Sequence, residues 1–354
     1  MQPSHLELPV INPRCIALEN GEAALAEMLA QTGYVIERDM LRDLGHVLRS
    51  GKPWLIEGPR GGGKTALAEA LALACNLPQF YLQGMEGLEL GDVLYQWDRE
   101  GQNQWVRQAV SVGMNLKEAR AEQWTREYLI LGEALAAFEL AAKEEVVPLL
   151  IIDEIDKLSE RIEDMLLQLF GRGYTHIPRY GEVGVRDRSR WPVVILLSND
   201  LRHDLSAPLR SRCIYSWLDP PKPQEEIKIL QARCPRAPRK LLVGTAKLIQ
   251  AIRGMAGIID KPGLRESIDL VEALVAQNHR ELSMPVIDSH LCYLAKRGLD
   301  LANLRKALAR LEAAVEFPNA EVDEWIAELE KTEGRSRSVP AAAGVGPHRQ
   351  SRLF

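Results

Sequence analysis

The segment at residues 58–65, with the sequence GPRGGGKT, constrains the fold of this 354-residue chain more than any other feature. It matches in full the pattern of a glycine, four free positions, then Gly-Lys and Ser or Thr. It follows the short apolar run 54–57 and opens a stretch with helical apolar spacing at 64–77. Glycine lets the backbone curl until several N–H groups converge on one anion, and a helix N-terminus adds the positive end of its dipole. The segment therefore predicts a phosphate-binding loop between a buried strand and a helix, rather than a plain glycine turn.

An acidic pair, Asp153 and Glu154, follows a second apolar run at residues 149–152. In open parallel sheets, ligands bind beyond the carboxyl ends of the strands, which is where this pair would lie. Lys64 can reach the β- and γ-phosphates of a nucleotide, and Thr65 can hold Mg²⁺ together with Asp153. Glu154 can then polarise the attacking water as general base. An acidic pair is also a common start to a loop, and the phosphate-binding loop upstream is what favours the catalytic interpretation.

Four further polar side chains could complete such a site. Asn199 follows the apolar run 193–197 and could orient water beside the γ-phosphate, although Asn followed by Asp is also good turn chemistry. Arg210 and Arg212 precede the last apolar run and could reach the nucleotide of a neighbouring subunit, or could form a solvated basic turn. Arg265 opens a later helical stretch and could close onto the γ-phosphate, but a lone arginine in a first helical turn is usually solvated.

Apolar runs and helical patterns alternate through residue 218, which predicts an α/β fold with a parallel sheet covered on both faces. The predicted strands are residues 54–57, 79–82, 149–152, 193–197 and 214–218, and the main predicted helices are 37–50, 64–77, 128–145 and 159–170. Two inserts interrupt the alternation. Residues 92–108 are predicted as a hairpin with Trp97 and Trp105 on its arms, and residues 174–191 as a second hairpin or an ordered loop.

The strand patterns stop at a proline cluster, residues 220–223, which marks a predicted domain boundary. The helical patterns beyond it are residues 224–234, 239–253, 263–277, 301–316 and 320–331. The last stretch, residues 334–354, is rich in Arg, Ser, Ala, Gly and Pro and is predicted to be disordered. The chain is thus predicted to combine an α/β domain, a helical domain and a tail.

The ordered set of motifs resembles an AAA+ ATPase over roughly residues 30–280. Residues 34–38 and 52–58, together with the insert around 92–98, resemble the MoxR and dynein-related branch of that superfamily. Residues 205–217 are similar to the MoxR-type proteins associated with maturation of the molybdenum CO dehydrogenase. The resemblance implies a P-loop NTPase αβα sandwich built on the five predicted parallel strands, followed by a smaller all-helical lid domain. It implies a lead-in (1–29), an AAA+ core (30–220, with inserts at about 92–108 and 174–191), a lid (221–332) and a tail (333–354).

By the same resemblance, the ligands are ATP and Mg²⁺. The implied nucleotide-binding residues are Gly58, Pro59, Arg60, Gly61, Gly62, Gly63, Lys64, Thr65, Ala66, Asp153 and Arg265, the implied catalytic residues are Glu154, Asn199, Arg212 and Arg210, and the implied Mg²⁺ ligands are Thr65 and Asp153. Arg212, directly before Cys213, is implied as the arginine finger and Arg210 as its helper. The loop departs from the family at Arg60 and Gly62. The backbone cradle does not use the Arg60 side chain, so nucleotide binding is expected to survive.

The family also implies a homo-oligomeric ring, usually a hexamer, because the nucleotide lies at a subunit interface. MoxR-type rings resemble chaperones that remodel a protein partner, often one with a von Willebrand factor A domain, or that mature a metalloenzyme. Trp97, Trp105 and Tyr180 on the inserts could contact such a partner, a neighbouring subunit or the core. Two alternatives stay open. One is a nucleic-acid-directed AAA+ motor, which an arginine cluster at residues 179–190 would favour, and the other is a scaffold that uses ATP only to assemble.

Composition restricts the possibilities further. Lys plus Arg number 44 and Asp plus Glu 49, so the net charge is −5, which argues against nucleic acid as the main partner. The apolar runs are far shorter than the roughly 20 residues of a membrane span, and no secretory signal is visible at the start. The 5 cysteines are scattered without a CxxC pair, as in a reduced protein. We therefore expect a cytoplasmic protein that does not cross a membrane.

Overall fold

The computed structural model describes residues 10–19, 21–144, 146–199 and 205–316. The strands in these ranges are β1 (Trp54–Glu57), β2 (Gln79–Gln83), β3 (Tyr95–Trp97), β4 (Leu129–Leu131), β5 (Leu149–Asp153), β6 (Tyr174–Ile177), β7 (Gly181–Gly184), β8 (Val193–Ser198) and β9 (Ile214–Trp217). The helices up to the last strand are α1 (Pro13–Glu19), α2 (Gly21–Gln31), α3 (Arg38–Ser50), α4 (Lys64–Cys75), α5 (Leu90–Val93), α6 (Arg99–Ser111), α7 (Leu116–Glu122), α8 (Glu133–Lys143), α9 (Glu160–Arg172) and α10 (Ala207–Arg212). The helices after it are α11 (Pro223–Arg233), α12 (Arg239–Arg253), α13 (Leu264–Ala276), α14 (Met284–Leu294), α15 (Gly298–Lys306) and α16 (Leu308–Glu316). The predicted helix at 320–331 and the predicted disordered tail at 333–354 lie outside the described residues.

Five strands form one parallel sheet in the order β2-β5-β8-β1-β9. The strand predictions are confirmed, and each predicted end lies within one residue of the observed end. Strands β1 and β8 are buried along their whole length, and β5 is buried up to Asp153, because helices cover both faces of the sheet. Since β1 lies next to β8, and β8 next to β5, the segments that follow these three strands emerge side by side at one edge of the sheet.

Helices pack on both faces of the sheet, and the two layers have separate apolar cores. Leu55 of β1 points into a core with Phe138 of α8, whereas its neighbour Ile56 points into a core with Leu67 of α4. This alternation follows from the two-residue period of a strand. The predicted αβα sandwich is therefore confirmed. Helices α1 and α2, which fall in the predicted lead-in, contribute buried side chains such as Leu25 to the second of these cores.

A smaller, all-helical region, α11–α16, follows the sheet as predicted and has an apolar core of its own. The prediction is wrong in two details: it misses α14, and residues 301–316 belong to two helices, α15 and α16, with Ala307 between them. Leu304 and Leu311 are both buried in the same core, so the apolar spacing continues across the break and does not reveal it. None of the helices that the structure describes is long and apolar enough to span a bilayer.

The first insert differs from its prediction as a hairpin at 92–108. Strand β3 pairs antiparallel with β4, about 30 residues further along the chain, and the predicted second arm is the helix α6. The reason is a helix cap, since the Asp98 carboxylate accepts a hydrogen bond from Gly101 N at 2.9 Å and starts α6 where a turn was expected. The predicted helix at 128–145 correspondingly begins with β4, and α8 starts only at Glu133.

The second insert is a hairpin, as predicted, with β6 and β7 paired antiparallel. It packs on the first insert through aromatic rings. The Trp97 ring meets Trp124 edge to face at 5.0 Å and Tyr180 at 6.2 Å between centroids, and the Arg179 guanidinium lies 4.6 Å from the centre of the Trp124 ring. Trp97 and Tyr180 therefore contact aromatic side chains of their own chain.

Candidate functional site

The glycine-rich loop curls around the start of α4. Gly63, the residue before the helix, has φ 94°, and Gly61 has φ 70°, both in the left-handed region that favours glycine. Because the backbone turns here without a side-chain cap, the first N–H groups of α4 are left for an anion. The sequence thus builds the geometry that its pattern predicts, a loop between β1 and the N-terminus of a helix.

Lys64 lies inside this loop and joins it to the end of β8. Its ammonium donates to the carbonyls of Gly58 at 2.8 Å and Pro59 at 2.9 Å, and to Asn199 Oδ1 at 2.9 Å. The side chain is nearly buried, and this burial lowers the pKa of Lys64. Two residues predicted from separate motifs, Lys64 and Asn199, are therefore in direct contact.

Thr65 and Asp153 are the second pair that the fold brings together. Asp153 Oδ2 accepts from Thr65 Oγ1 at 2.9 Å and from the Tyr81 hydroxyl at 3.0 Å. Burial and the nearby Asp153 charge raise the pKa of Tyr81, so this phenol stays a hydrogen-bond donor. A hydroxyl beside a carboxylate offers the hard oxygen ligands that Mg²⁺ prefers.

A magnesium ion fits this pair because it is commonly bound through one or two carboxylates together with the phosphates of a substrate. Among the described side chains, no three His, Cys, Asp or Glu residues cluster as a metal site, so a metal held entirely by such residues is not found there. Thr65 and Asp153 are accordingly the residues that would hold Mg²⁺ together with a nucleotide.

Glu154, the predicted general base, is held by two side chains that the sequence did not assign to the site. Its Oε2 accepts from Gln83 Nε2 at 2.7 Å and pairs with the Lys157 ammonium. The residue itself has φ 53°, a left-handed conformation that is uncommon for a non-glycine residue and turns the chain sharply after β5. Gln83 lies on β2, which neighbours β5, and is in register with Asp153. The position of β2 in the sheet is the signal that could have identified Gln83 as part of the site.

The predicted arginine finger, Arg212, and its predicted helper, Arg210, differ in their surroundings. Arg210 forms an ion pair with Glu57, with Nη2 and Oε1 3.1 Å apart, at the end of β1. Arg212 is exposed at the end of α10, where its guanidinium donates to the Pro208 carbonyl at 3.1 Å. Neither of them lines the cavity beside the glycine-rich loop of its own chain, whereas Arg265 does.

Two adjoining cavities flank the loop. The larger, about 730 Å³, is lined mostly by charged and polar residues and contains most of the predicted site residues. The predicted residues that line it are Arg60, Gly61, Gly62, Gly63, Lys64, Thr65, Ala66, Asp153, Glu154, Asn199 and Arg265. The smaller, about 270 Å³, includes Tyr34, Ile36, Leu218 and Ile268 and shares the wall at Gly62 with the first. An anion-binding pocket beside an apolar slot suits a ligand with phosphates at one end and a flat ring at the other.

The helical region touches the loop directly. Leu264 N donates to the Gly61 carbonyl at 2.9 Å, which places the start of α13 against the loop. Gly263 allows this approach, because a Cβ there would lie 2.9 Å from the Arg60 carbonyl oxygen. Arg265, one residue further along, faces the polar cavity as a consequence.

Residues 53–213 match the family model of the AAA domain, dynein-related subfamily. The match runs from the start of β1 to the end of α10 and supports an AAA+ ATPase domain in this stretch. Among solved structures, the chain is similar to a proline-to-glycine mutant of Thermotoga maritima RuvB, with 16% identity over 73% of this chain and 70% of that one and a TM-score of 0.43. It is also similar to the Thermotoga maritima RuvB Holliday junction branch migration motor, with 15% identity over 78% and 76% and a TM-score of 0.42. No curated protein matches the chain.

Proposed function

We propose that this chain is an ATPase that hydrolyses ATP with Mg²⁺ in the cavity beside residues 58–65. The main observation in support is that residues from separate motifs meet at this cavity. Four residues drawn from three separate motifs meet there as two hydrogen-bonded pairs, Lys64 with Asn199 and Thr65 with Asp153. AAA domains as a family hydrolyse ATP, which agrees with this assignment.

In this proposal the curled backbone and Lys64 bind the phosphates, and Thr65 and Asp153 would hold Mg²⁺. When bound, the metal ion would neutralise the charge that develops on the phosphate oxygens. Glu154 accepts a proton from the attacking water, for which its carboxylate must be released from Lys157. Asn199 positions that water beside the γ-phosphate, and Arg265 closes the cavity from the side of the helical lid.

We further infer a ring in which Arg212 completes the site of a neighbouring subunit. The exposure of Arg212 supports this arrangement, because an arginine finger must reach out of its own chain. The proposed ring is a cytoplasmic hexamer of the MoxR type, with an AAA+ core at 30–220 and a lid at 221–332. It would act as a chaperone-like remodeller of a protein partner, either one with a von Willebrand factor A domain or a metalloenzyme in maturation.

The arginine cluster that would favour a nucleic-acid motor makes contacts within its own chain. Of the arginines at residues 179–190, Arg179 and Arg188 lie over tryptophan rings, Arg186 pairs with Glu182, and Arg190 donates to the carbonyls of residues 142 and 144. A phosphate-binding surface needs cations that point outward. Three of these four side chains are exposed, but each of the four is also engaged by a contact within its own chain, which favours the protein-remodelling proposal over this alternative.

ATP binding by the Lys64→Ala variant tests the proposal. We expect the affinity, measured by titration calorimetry with Mg²⁺, to fall at least about a hundredfold, because a charge-assisted contact to phosphate is lost inside a partly buried site. Lys117→Ala, which removes an exposed lysine on α7, is the matched control and should bind ATP as the wild-type protein does. Equal affinity of Lys64→Ala and wild type would refute the assignment of the site.

A further inference from the structure

Glu57 and Arg210 form an ion pair that joins the start of the glycine-rich loop to helix α10. Glu57 is the last residue of β1, directly before Gly58, and its side chain is only 4% exposed. Arg210 approaches it from α10 with Nη2 3.1 Å from Oε1. The same helix ends two residues later at Arg212. One end of α10 is thereby anchored at the entrance to the phosphate-binding loop.

A buried carboxylate needs this partner. Charges removed from water are tolerated in proteins only when they are paired and hydrogen-bonded, and removing one member of such a pair leaves the other uncompensated. The Glu57 backbone carbonyl also accepts from Leu218 N at 2.8 Å, so the residue is fixed on its main chain and on its side chain. Arg210 therefore stabilises the position of Glu57, and through it the point where the loop leaves the sheet.

We propose, on the basis of the ATPase function proposed above, that Arg210 is a positioning residue for the nucleotide site of its own subunit and not a second arginine finger. The Glu57–Arg210 pair then links two sites. It connects the loop that binds ATP in one subunit to the helix that presents Arg212 to the next. Arg210 acts within its chain, whereas Arg212 acts on the neighbour.

ATP affinity separates these two roles. Arg210→Met removes the cation and keeps a side chain of similar length, and we expect it to weaken ATP binding about tenfold, within the usual range of coupling between linked sites. Arg212→Met should leave ATP affinity unchanged and slow phosphate release, because an arginine finger stabilises the charge of the transition state rather than the bound ATP. Arg186→Met, which opens the exposed Arg186–Glu182 pair, is the matched control and should also bind ATP as wild type does.

The double variant Glu57→Gln/Arg210→Met tests the pair itself. We expect it to bind ATP more tightly than Arg210→Met alone, because the unpaired buried charge is gone. Thermal unfolding is recorded for every variant. If Arg210→Met does not fold, Arg210→Lys replaces it in the comparison, since lysine keeps the charge and loses the planar fork. The proposal would be overturned if Arg210→Lys binds ATP as wild type does and the double variant also fails to fold.

Mixed rings give a second, independent readout. Subunits with Lys64→Ala lack a working site of their own but keep Arg210 and Arg212 unchanged. We expect phosphate release to recover when they are mixed with Arg212→Met and not when they are mixed with Arg210→Met, whose own site is impaired. If both mixtures recover equally and Arg210→Met binds ATP as wild type does, the inference about Arg210 is overturned while the proposed ATPase function is not. Absence of ATP binding by the wild-type protein would instead overturn the proposed function.

Discussion

Glu154 makes two contacts that compete with its proposed role as general base. Its carboxylate accepts from Gln83 and pairs with Lys157, so its oxygen Oε2 is engaged on both sides. While these partners occupy Oε2, that oxygen is not free to contact a water molecule as a general base must. We infer that these side chains restrain turnover in the state that the structure describes.

Gln83→Ala should therefore raise the rate of phosphate release. Loss of one hydrogen bond to a charged group is worth about 1.5 kcal/mol, which sets the expected increase at roughly tenfold. The measurement is steady-state phosphate release with saturating ATP and Mg²⁺. Gln79→Ala, an exposed position at the other end of the same strand, is the control and should not change the rate. A fall in rate with Gln83→Ala would show instead that Gln83 helps the reaction.

The cysteines give a residue-scale prediction that depends on burial. Burial raises the pKa of Cys213 to about 12 and that of Cys75 to about 11, whereas Cys15 and Cys292 are exposed. Raised pKa values keep these thiols protonated up to about pH 9, and the thiolate is the reactive form. An aromatic disulfide reagent at about pH 8 should therefore label Cys15 and Cys292 quickly and the other three only after unfolding. Rapid labelling of Cys213 in the native protein would contradict the packing of α10.

Helix α13 reaches the phosphate-binding loop with its first turn, and Gly263 is what allows the approach. Gly263→Ala places a Cβ 2.9 Å from the Arg60 carbonyl oxygen and 3.1 Å from Gly61 Cα, closer than ordinary packing allows. We expect the helix to shift, the hydrogen bond from Leu264 N to Gly61 to weaken, and ATP affinity to fall by about tenfold.

The control for this variant is Gly298→Ala, since a Cβ at Gly298 meets nothing within 4 Å. Both variants are measured by ATP titration and thermal unfolding. If Gly263→Ala binds ATP as tightly as Gly298→Ala, the contact between α13 and the loop does not contribute to nucleotide binding.

A strand or helix can be predicted from the sequence where a single local constraint determines its position. The five strands of the sheet are apolar runs bounded by polar residues or turns, and each predicted end lies within one residue of the observed one. The prediction for 92–108 is wrong because the partner of β3 lies beyond two intervening helices, a pairing that local spacing does not contain. In the site, Lys64 and Asp153 follow from motifs, whereas the role of Gln83 becomes visible only once β2 lies beside β5.

At the scale of the whole molecule, the parallel sheet and the helical region meet at the edge that carries the phosphate-binding loop. The loop after β1 lies between the end of β8 and the first turn of α13, so ATP would contact both the α/β and the helical parts. The apolar slot, which no motif predicts, completes this arrangement with side chains from the segment between α2 and α3 and from the helical region. Nucleotide binding is therefore expected to fix these parts relative to each other.

The most direct test of this account is phosphate release by the full chain, wild type beside Glu154→Gln, with ATP binding measured on both. We predict that Glu154→Gln binds ATP as wild type does and releases phosphate at least about a hundredfold more slowly, the usual contribution of a general base. Equal rates for the two proteins, or no turnover by the wild type above background, would contradict the claim that these residues form a site for ATP hydrolysis.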